Sequence, residues 1–240
     1  MRIALYLLHN VPIKFMRTLL AILALLPVAF AQNELTSQEK KDGFQLLFDG
    51  KTLDNWQIIK RRPNDSTWTV ESGILSYQKG ESWLATKDTY YDFLLRLEYR
   101  TAEKTDSGIF VNAGAAGNPG ATGVEINLIS DNGKPASPRS SGALWDIAAP
   151  AENMNKPDGE WNTIEVSVHD RHLTTTWNGK PGLDVNLDDP QYPKLAGRGA
   201  YGHIGLQAHA FGEPAAFRNV RIKIIKKGPP DPPAGAADKQ

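Results

Sequence analysis

Short runs of alternating apolar and polar residues dominate the chain between positions 43 and 225. Apolar residues recur at every second position within these runs, and Gly, Asn, Asp or Pro separates one run from the next. No segment of 12 or more residues keeps an apolar face at helical spacing, and no βαβ rhythm is present. The pattern predicts an all-β sandwich or jelly roll, with strands at 44–48, 68–70, 74–77, 93–100, 108–112, 124–129, 162–168, 173–177, 204–208 and 220–225.

The first 31 residues have the order of a signal peptide. Basic residues and no acidic ones precede the apolar run LLAILALLPV (19–28), and Ala29-Phe30-Ala31 offers a small-residue cleavage site. The run is shorter than the ~20 residues that a membrane-spanning helix needs. We therefore expect a periplasmic or secreted protein with residues 1–31 removed and no stable membrane insertion. An uncleaved anchor is the alternative, and Met16 is a second possible start.

The segments at either end of the strand-rich region differ from it in composition. Residues 32–42 are polar and predict a short leader, whereas residues 226–240 are rich in Pro, Gly and Ala and predict a disordered tail. Without the first 31 residues, 24 basic and 27 acidic side chains remain, a net charge of −3. That balance argues against a nucleic-acid partner. The chain has no cysteine, so its stability must come from a core rather than from disulfides.

Polar side chains occupy the second face of three predicted strands. If these strands lie side by side in one sheet, they form a polar floor that suits the hydroxyl groups of a sugar. Ordinary solvation of a sandwich face is the plainer interpretation. Two features favour the first one, namely the scarcity of Lys, Thr and Ser on these faces and the glycines within or beside the same strands. The floor would consist of Arg96, Glu98, Arg100, Glu125, Asn127, Gln207 and His209.

Two further features of the loops and strands leave alternatives open. Trp145 stands between two long loops, where it is either a platform for a sugar ring or a core residue. Histidines and carboxylates from separate strands could hold a divalent metal. However, no His-x-His or HExxH pattern is present, so the metal ligands stay unknown.

Eight motifs in the same order resemble the family of 3-keto-glycoside 1,2-lyases and 3-keto-2-hydroxy-glucal hydratases, also described as 3-keto-disaccharide hydrolases. The resemblance covers residues 43–225 and implies a concanavalin-like jelly-roll sandwich of two antiparallel sheets. The sequence departs from the family where Asn127 stands in place of Gln, Ala208 in place of Asp or Asn, and Ala210 in place of Gly. The motifs are GFQLLFDGKTLDNW (43–56), YDF with LEYR (91–100), DSGIF (106–110), GVEIN (123–127), SGALW (141–145), KPDGEWN (156–162), GLQAH (205–209) and FRNVRI (217–222).

The resemblance implies an enzyme whose substrate is a carbohydrate carrying a ketone at C3. The ketone makes the C2 proton acidic, so a base can remove it, the C1 oxygen can leave, and water can then add. We expect Glu125 or His209 to be the base and Arg100 or a bound cation to stabilise the enolate. We expect substrate contacts from Glu98, Asn127, Trp145 and Gln207. A glycan-binding module without catalysis is the alternative, because the fold alone does not determine the function.

Overall fold

The computed structural model describes residues 32–60, 62–65, 67–78 and 80–231. The predicted signal peptide at 1–31 and the last nine residues of the predicted tail lie outside this range. No helix within it is both long enough and apolar enough to cross a membrane.

The described residues form a nearly all-β protein. Two α-helices are short, α1 (Ser37–Lys41) and α2 (Pro119–Thr122), and one 3-10 helix covers Pro193–Leu195. The strands are β1 (Phe44–Leu46), β2 (Trp56–Lys60), β3 (Trp68–Glu71), β4 (Ile74–Tyr77), β5 (Ser82–Thr86), β6 (Tyr90–Arg100), β7 (Asp106–Ala113), β8 (Val124–Ile129), β9 (Asn162–His169), β10 (His172–Trp177), β11 (Lys180–Asn186), β12 (His203–Ala208) and β13 (Ala216–Lys227).

The strands pair into two antiparallel sheets, which confirms the predicted sandwich. The eight-stranded sheet has the order β11-β10-β9-β6-β13-β4-β3, with β1 pairing to β13. The five-stranded sheet has the order β2-β5-β12-β7-β8. Consecutive strands are often separated in the sheets, so the residues on any one face come from distant parts of the chain.

The core lies between the two sheets and uses the apolar positions that the alternation predicts. On β6, for example, Phe93, Leu95, Leu97 and Tyr99 are all buried, while the residues between them face outwards. The same holds for the apolar residues of β8 and β12. Burying a large apolar side chain contributes about 1.5–3 kcal/mol, so this continuous cluster is the main source of stability in a chain without disulfides.

Strands β2, β5 and β11 are absent from the sequence prediction. All five residues of β5 are buried, so its sequence SWLAT shows no alternation of apolar and polar positions. Strand β11 contains Pro181 and Gly182, which are unfavourable within strands. These three strands include two of the five strands in the smaller sheet.

The structure corrects the predicted ends of the domain. The leader contains α1, which a capping box at Thr36 stabilises. Its Glu39 carboxylate accepts a hydrogen bond from Arg221 on β13. The predicted disordered tail begins too early, because β13 continues to Lys227. Beyond β13, the Asp231 carboxylate lies 3.0 Å from the ring of buried His203.

The long connection between β8 and β9 covers the free edge of the five-stranded sheet. Backbone hydrogen bonds join Asn127 to Ala143 and Gly142, and Leu144 bridges to Ile126. This pairing protects an edge strand that would otherwise expose unpaired N–H and C=O groups. It also places Trp145 beside Glu125, since the Trp145 N–H donates to the Glu125 carbonyl.

Candidate active site

The three polar strands of the sequence prediction do not lie side by side. Strand β6 belongs to the eight-stranded sheet, whereas β8 and β12 belong to the five-stranded sheet with β7 between them. The prediction of a single polar floor is therefore wrong. Alternation assigns a residue to one face of a strand, but it carries no information about which strands become neighbours.

Glu98 and Arg100 lie on the outer face of the eight-stranded sheet, which we call the charged face (Arg96, Glu98, Arg100, Glu165 and Arg218). The Glu98 carboxylate accepts hydrogen bonds from the Arg218 guanidinium and the Asn219 amide, both at 2.7 Å. Arg96 pairs with Glu165 across the neighbouring strand at 2.6 Å. Glu98 thus has a structural role in this arrangement, contrary to the expected substrate contact.

Arg100 is also far from a position where it could stabilise an enolate next to Glu125, because the two lie on different sheets. Its guanidinium lies over the ring of Trp161, 4.9 Å from the centroid. It also lines a groove of about 600 Å³ on the charged face, together with Thr69, Glu71 and Ser76. This groove is the alternative place for a ligand.

The outer face of the five-stranded sheet combines aromatic, glycine and polar residues, and we call it the site face (Trp83, Gly108, Phe110, Glu125, Gly205 and Gln207). Trp83 and Phe110 pack edge to face, with ring centroids 5.9 Å apart. The Trp83 indole lies against Gly205, where an added Cβ would clash with two ring carbons. Although they face away from the main core, both rings are buried and form a second, smaller apolar cluster.

Gly108 on β7 makes room for the side chain of Glu125 on β8. A Cβ at position 108 would lie 2.6 Å from Glu125 Oε1 and 2.9 Å from its Cγ. On the other side of the carboxyl, a Cβ at Gly120 would lie 3.4 Å from Oε2. Gly108 therefore allows the carboxyl to lie against the sheet rather than extend into solvent, whereas a side chain at Gly120 would meet it only at an ordinary contact distance.

The environment of Glu125 keeps its carboxyl protonated at neutral pH. Burial raises its pKa to about 8, and the negative charge of Asp106 acts in the same direction. No hydrogen bond from the described residues offsets these two effects. A partly buried carboxyl with a raised pKa is typical of a general acid.

Gln207 and His209 approach the same place from β12 and the loop that follows it. The β7–β12 register pairs Gly205 with Phe110 and Leu206 with Ile109. Continued by one residue, it brings Gln207 opposite Gly108. The Gln207 Oε1 atom is buried and has no hydrogen-bond partner among the described residues. Such an oxygen is available to a ligand, because a buried acceptor without a partner is costly.

His209 lies between Asp106 and Phe211. Its Nδ1 is 4.0 Å from Asp106 Oδ2 and accepts a hydrogen bond from the Phe211 N–H at 3.3 Å. The neutral imidazole therefore carries its proton on Nε2, where it can donate to a ligand. The exposed Phe211 ring stacks on the imidazole with centroids 5.0 Å apart.

The remaining two predicted residues, Asn127 and Trp145, have different positions. Asn127 is buried, and its amide donates to the Arg139 carbonyl at 2.9 Å, so it anchors the β8–β9 connection. Trp145 is 46% exposed and is therefore not a core residue. Because the bridge of Leu144 to Ile126 joins two core residues, their neighbours Trp145 and Glu125 both face the site face.

The residues of the site face do not form a ready metal site. Within the described ranges, one group of three possible ligands lies close together, namely Asp92, His169 and Asp170. It lies at the turn between β9 and β10, in the other sheet. Asp106, His209 and Glu125 are too far apart to form such a group, so the chemistry below is derived from the side chains alone.

Sequence reasoning assigned no role to four residues of this region: Trp83, Asp106, Phe110 and Phe211. Trp83 belongs to the undetected strand β5, so its face could not be assigned. Asp106 and Phe110 are in the DSGIF motif, whose glycine gave the one available signal that something approaches β7 closely. For Phe211, the sequence offers no signal beyond its proximity to His209.

The comparisons with known proteins agree with this fold. The model of the 3-keto-alpha-glucoside-1,2-lyase-like domain family matches residues 43–223. A 3-keto-disaccharide hydrolase of Bacteroides thetaiotaomicron is 25% identical over 231 residues, covering 77% of this chain and 79% of that protein. Two crystal structures of candidate glycosyl hydrolases from Parabacteroides distasonis are similar. One has a TM-score of 0.71 at 24% identity, covering 82% of this chain and 100% of the other. The second has a TM-score of 0.63 at 25% identity, covering 76% and 99%.

Proposed function

Because the chain belongs to the family of 3-keto-alpha-glucoside-1,2-lyase-like domains, we propose that it is an exported enzyme that cleaves 3-keto-glycosides. Cleavage proceeds by elimination across C1 and C2 and subsequent addition of water, which amounts to hydrolysis. A carbohydrate-active function is the broader statement that the relatives support. The observation that carries the specific proposal is the position of the Glu125 carboxyl on the site face, against Gly108 and without a hydrogen-bond partner among the described residues, where burial raises its pKa to about 8.

Elimination needs a base at C2, a donor to the C3 oxygen and an acid at the leaving oxygen. In our proposal Asp106 takes the C2 proton, and the electron pair moves into the enolate of the C3 carbonyl. The His209 Nε2–H donates to that oxygen. As the C1–O bond breaks, Glu125 gives its proton to the leaving oxygen. This assignment changes the sequence-based hypothesis, in which Glu125 or His209 is the base.

The second half of the reaction uses the same groups in reverse. The Glu125 carboxylate takes a proton from a water molecule, which adds to C1 of the unsaturated keto-sugar. Asp106 then returns its proton to C2, so both side chains recover their starting state. The Gln207 amide oxygen, which has no hydrogen-bond partner among the described residues, positions a hydroxyl group of the sugar.

The proposal predicts how the rate depends on pH. Glu125 must hold a proton to act as the acid, and its pKa is about 8. We therefore expect kcat/KM for a 3-keto-glycoside to fall above pH ~8, by about tenfold per pH unit when protonation of one group controls the rate. A kcat/KM that stays constant from pH 7 to pH 10 would contradict the role of Glu125 as acid.

A glycan-binding module is the second candidate, favoured by two exposed aromatic residues near the site, Trp145 and Phe211. Exposed aromatic rings stack against the C–H faces of sugars without any catalysis. A binding module has no use for a partly buried, protonated carboxyl, which costs stability. This difference is why we favour the enzyme.

The experiment that tests the proposal is incubation of residues 32–240 with a 3-keto-disaccharide and a 3-keto-aryl-glucoside. Products are followed by mass spectrometry and NMR, with and without a chelator. Formation of the keto-glucal or the free keto-sugar establishes the enzyme, and loss of turnover with the chelator would add a metal. Saturable binding without turnover would instead establish the binding module.

A further inference from the structure

Two aromatic side chains lie on opposite sides of the acid and base groups. Phe211 follows β12, and Trp145 lies in the segment that pairs with β8 at the sheet edge. Strands β12, β7, β8 and this segment are consecutive neighbours. The two rings also lie at different levels along the strands, because Trp145 is opposite Glu125 and Phe110, whereas Phe211 follows His209 near Asp106, four residues earlier on β7. A substrate of two linked sugar rings would therefore lie obliquely across the strands.

The groups between the two aromatic rings set the orientation of such a substrate. On the Phe211 side, His209 and Asp106 are the groups assigned to C3 and C2 of the keto-sugar. On the Trp145 side, Glu125 is the group assigned to the leaving oxygen. The bond that breaks therefore lies near Glu125, and whatever leaves extends beyond it towards Trp145.

Trp145 is held in place before any ligand arrives. Its backbone N–H donates to the Glu125 carbonyl at 2.8 Å. The Arg139 guanidinium lies 5.8 Å from the centre of the indole and pairs with Asp146. An exposed single apolar side chain needs no explanation by itself. Here, however, the backbone of Trp145 is held directly opposite that of the proposed acid.

We propose that Trp145 is the platform on which the leaving-group ring of the glycoside stacks, so that it selects substrates with a ring as leaving group. The inference rests on the proposed function and deepens it. The platform would favour disaccharides and aryl glycosides, whose leaving group is a ring, over simple alkyl glycosides. Phe211 contacts the keto-sugar, which all of these substrates share, and therefore does not discriminate between them.

The test compares variants on substrates that differ only in the leaving group. The proteins are the wild type, Trp145→Ala, Trp145→Phe and Phe211→Ala, and the substrates are a 3-keto-disaccharide and methyl 3-keto-glucoside. Ile225→Ala is the matched control, since Ile225 is 52% exposed on β13 in the other sheet. We expect Trp145→Ala to lower kcat/KM for the disaccharide about tenfold. The change should appear in KM rather than kcat, because stacking acts on bound substrate and transition state alike.

The methyl glycoside separates the proposal from a merely structural role. Under the proposal, turnover of the methyl glycoside changes less than about twofold in Trp145→Ala. Trp145→Phe restores turnover of the disaccharide, and Phe211→Ala lowers turnover of both substrates equally. Equal losses on both substrates in Trp145→Ala, or no loss on either, would overturn it. The proposal would also be overturned if Phe211→Ala lowered turnover of the disaccharide but not of the methyl glycoside.

If the wild type turns over neither substrate, the proposed function fails, and a binding experiment decides whether Trp145 is a platform for a sugar ring. Saturation-transfer NMR then compares an unmodified disaccharide with methyl glucoside. Binding of the disaccharide that is lost in Trp145→Ala supports the platform, and unchanged binding overturns it.

Discussion

On the charged face of the eight-stranded sheet, the Glu98 carboxylate is held by Arg218 and Asn219. On the site face of the five-stranded sheet, the Glu125 carboxyl has no such partner among the described residues, and burial raises its pKa. Both glutamates occupy the polar positions of an alternating strand, so they look alike in the sequence. The comparison teaches that the carboxyl proposed to be functional differs from the structural one by its missing partner rather than by its position in the pattern.

The largest expected effect is that of Glu125→Gln, which removes the proton donor but keeps the shape of the side chain. We expect turnover of a 3-keto-disaccharide to fall by about 10²–10⁴-fold, the usual contribution of general acid–base catalysis. Turnover is measured by NMR of the products. Glu98→Gln is the matched variant on the other face, and equal losses in the two variants would contradict the account.

A second, smaller effect comes from the glycine under the carboxyl. In Gly108→Ala the added Cβ would lie 2.6 Å from Glu125 Oε1, so the carboxyl must move. We expect a loss of about 10²-fold in turnover, the size typical of a misplaced catalytic group. Gly114→Ala is the control, because its Cβ would meet its nearest neighbour at an ordinary 3.4 Å. Full activity of Gly108→Ala would show that Glu125 does not need this position.

The raised pKa of Glu125 also predicts how stability depends on pH. The unfolded protein releases this proton near pH 4.5 and the folded protein near pH 8. Between these values the folded state holds an extra proton, so the free energy of unfolding falls as pH rises and levels off above pH 8. Glu125→Gln removes this penalty. We expect it to stabilise the protein at pH 8 by on the order of 2–4 kcal/mol, and much less at pH 5.

Urea denaturation of the wild type and Glu125→Gln at pH 5 and pH 8 measures this difference. The two proteins should diverge as pH rises. A difference that is the same at both pH values would show that Glu125 titrates normally. Because the variant gains stability while it loses turnover, the result also separates a functional role from a structural one.

The smallest effect belongs to the charged face. Glu98→Gln keeps the side-chain length but weakens the pairing with Arg218, which is partly exposed. We expect a loss of about 1 kcal/mol in the free energy of unfolding and no change in turnover. Thermal unfolding and the same product assay measure both quantities. A Glu98→Gln variant that is stable but inactive would show that the active site lies on the charged face instead.

The sequence predicts the local part of this picture well. Alternation identifies the buried residues of β6, β8 and β12. The glycines in β7 and β12 indicate that side chains of neighbouring strands lie close to the backbone there. Glu125, Gln207 and His209 lie on or beside the five-stranded sheet. Glu98 and Arg100 lie on the other sheet, because the neighbours of a strand are decided by packing between distant segments. Trp83 could not be predicted for a different reason, since the buried strand β5 has no alternation of apolar and polar residues.

The most direct test of the account is a crystal structure of Glu125→Gln with a 3-keto-disaccharide bound. The account predicts the keto-sugar ring on the site face above Gly108, with the leaving oxygen next to position 125 and the second ring against Trp145. A disaccharide bound instead in the groove that Arg100 lines on the charged face would contradict it.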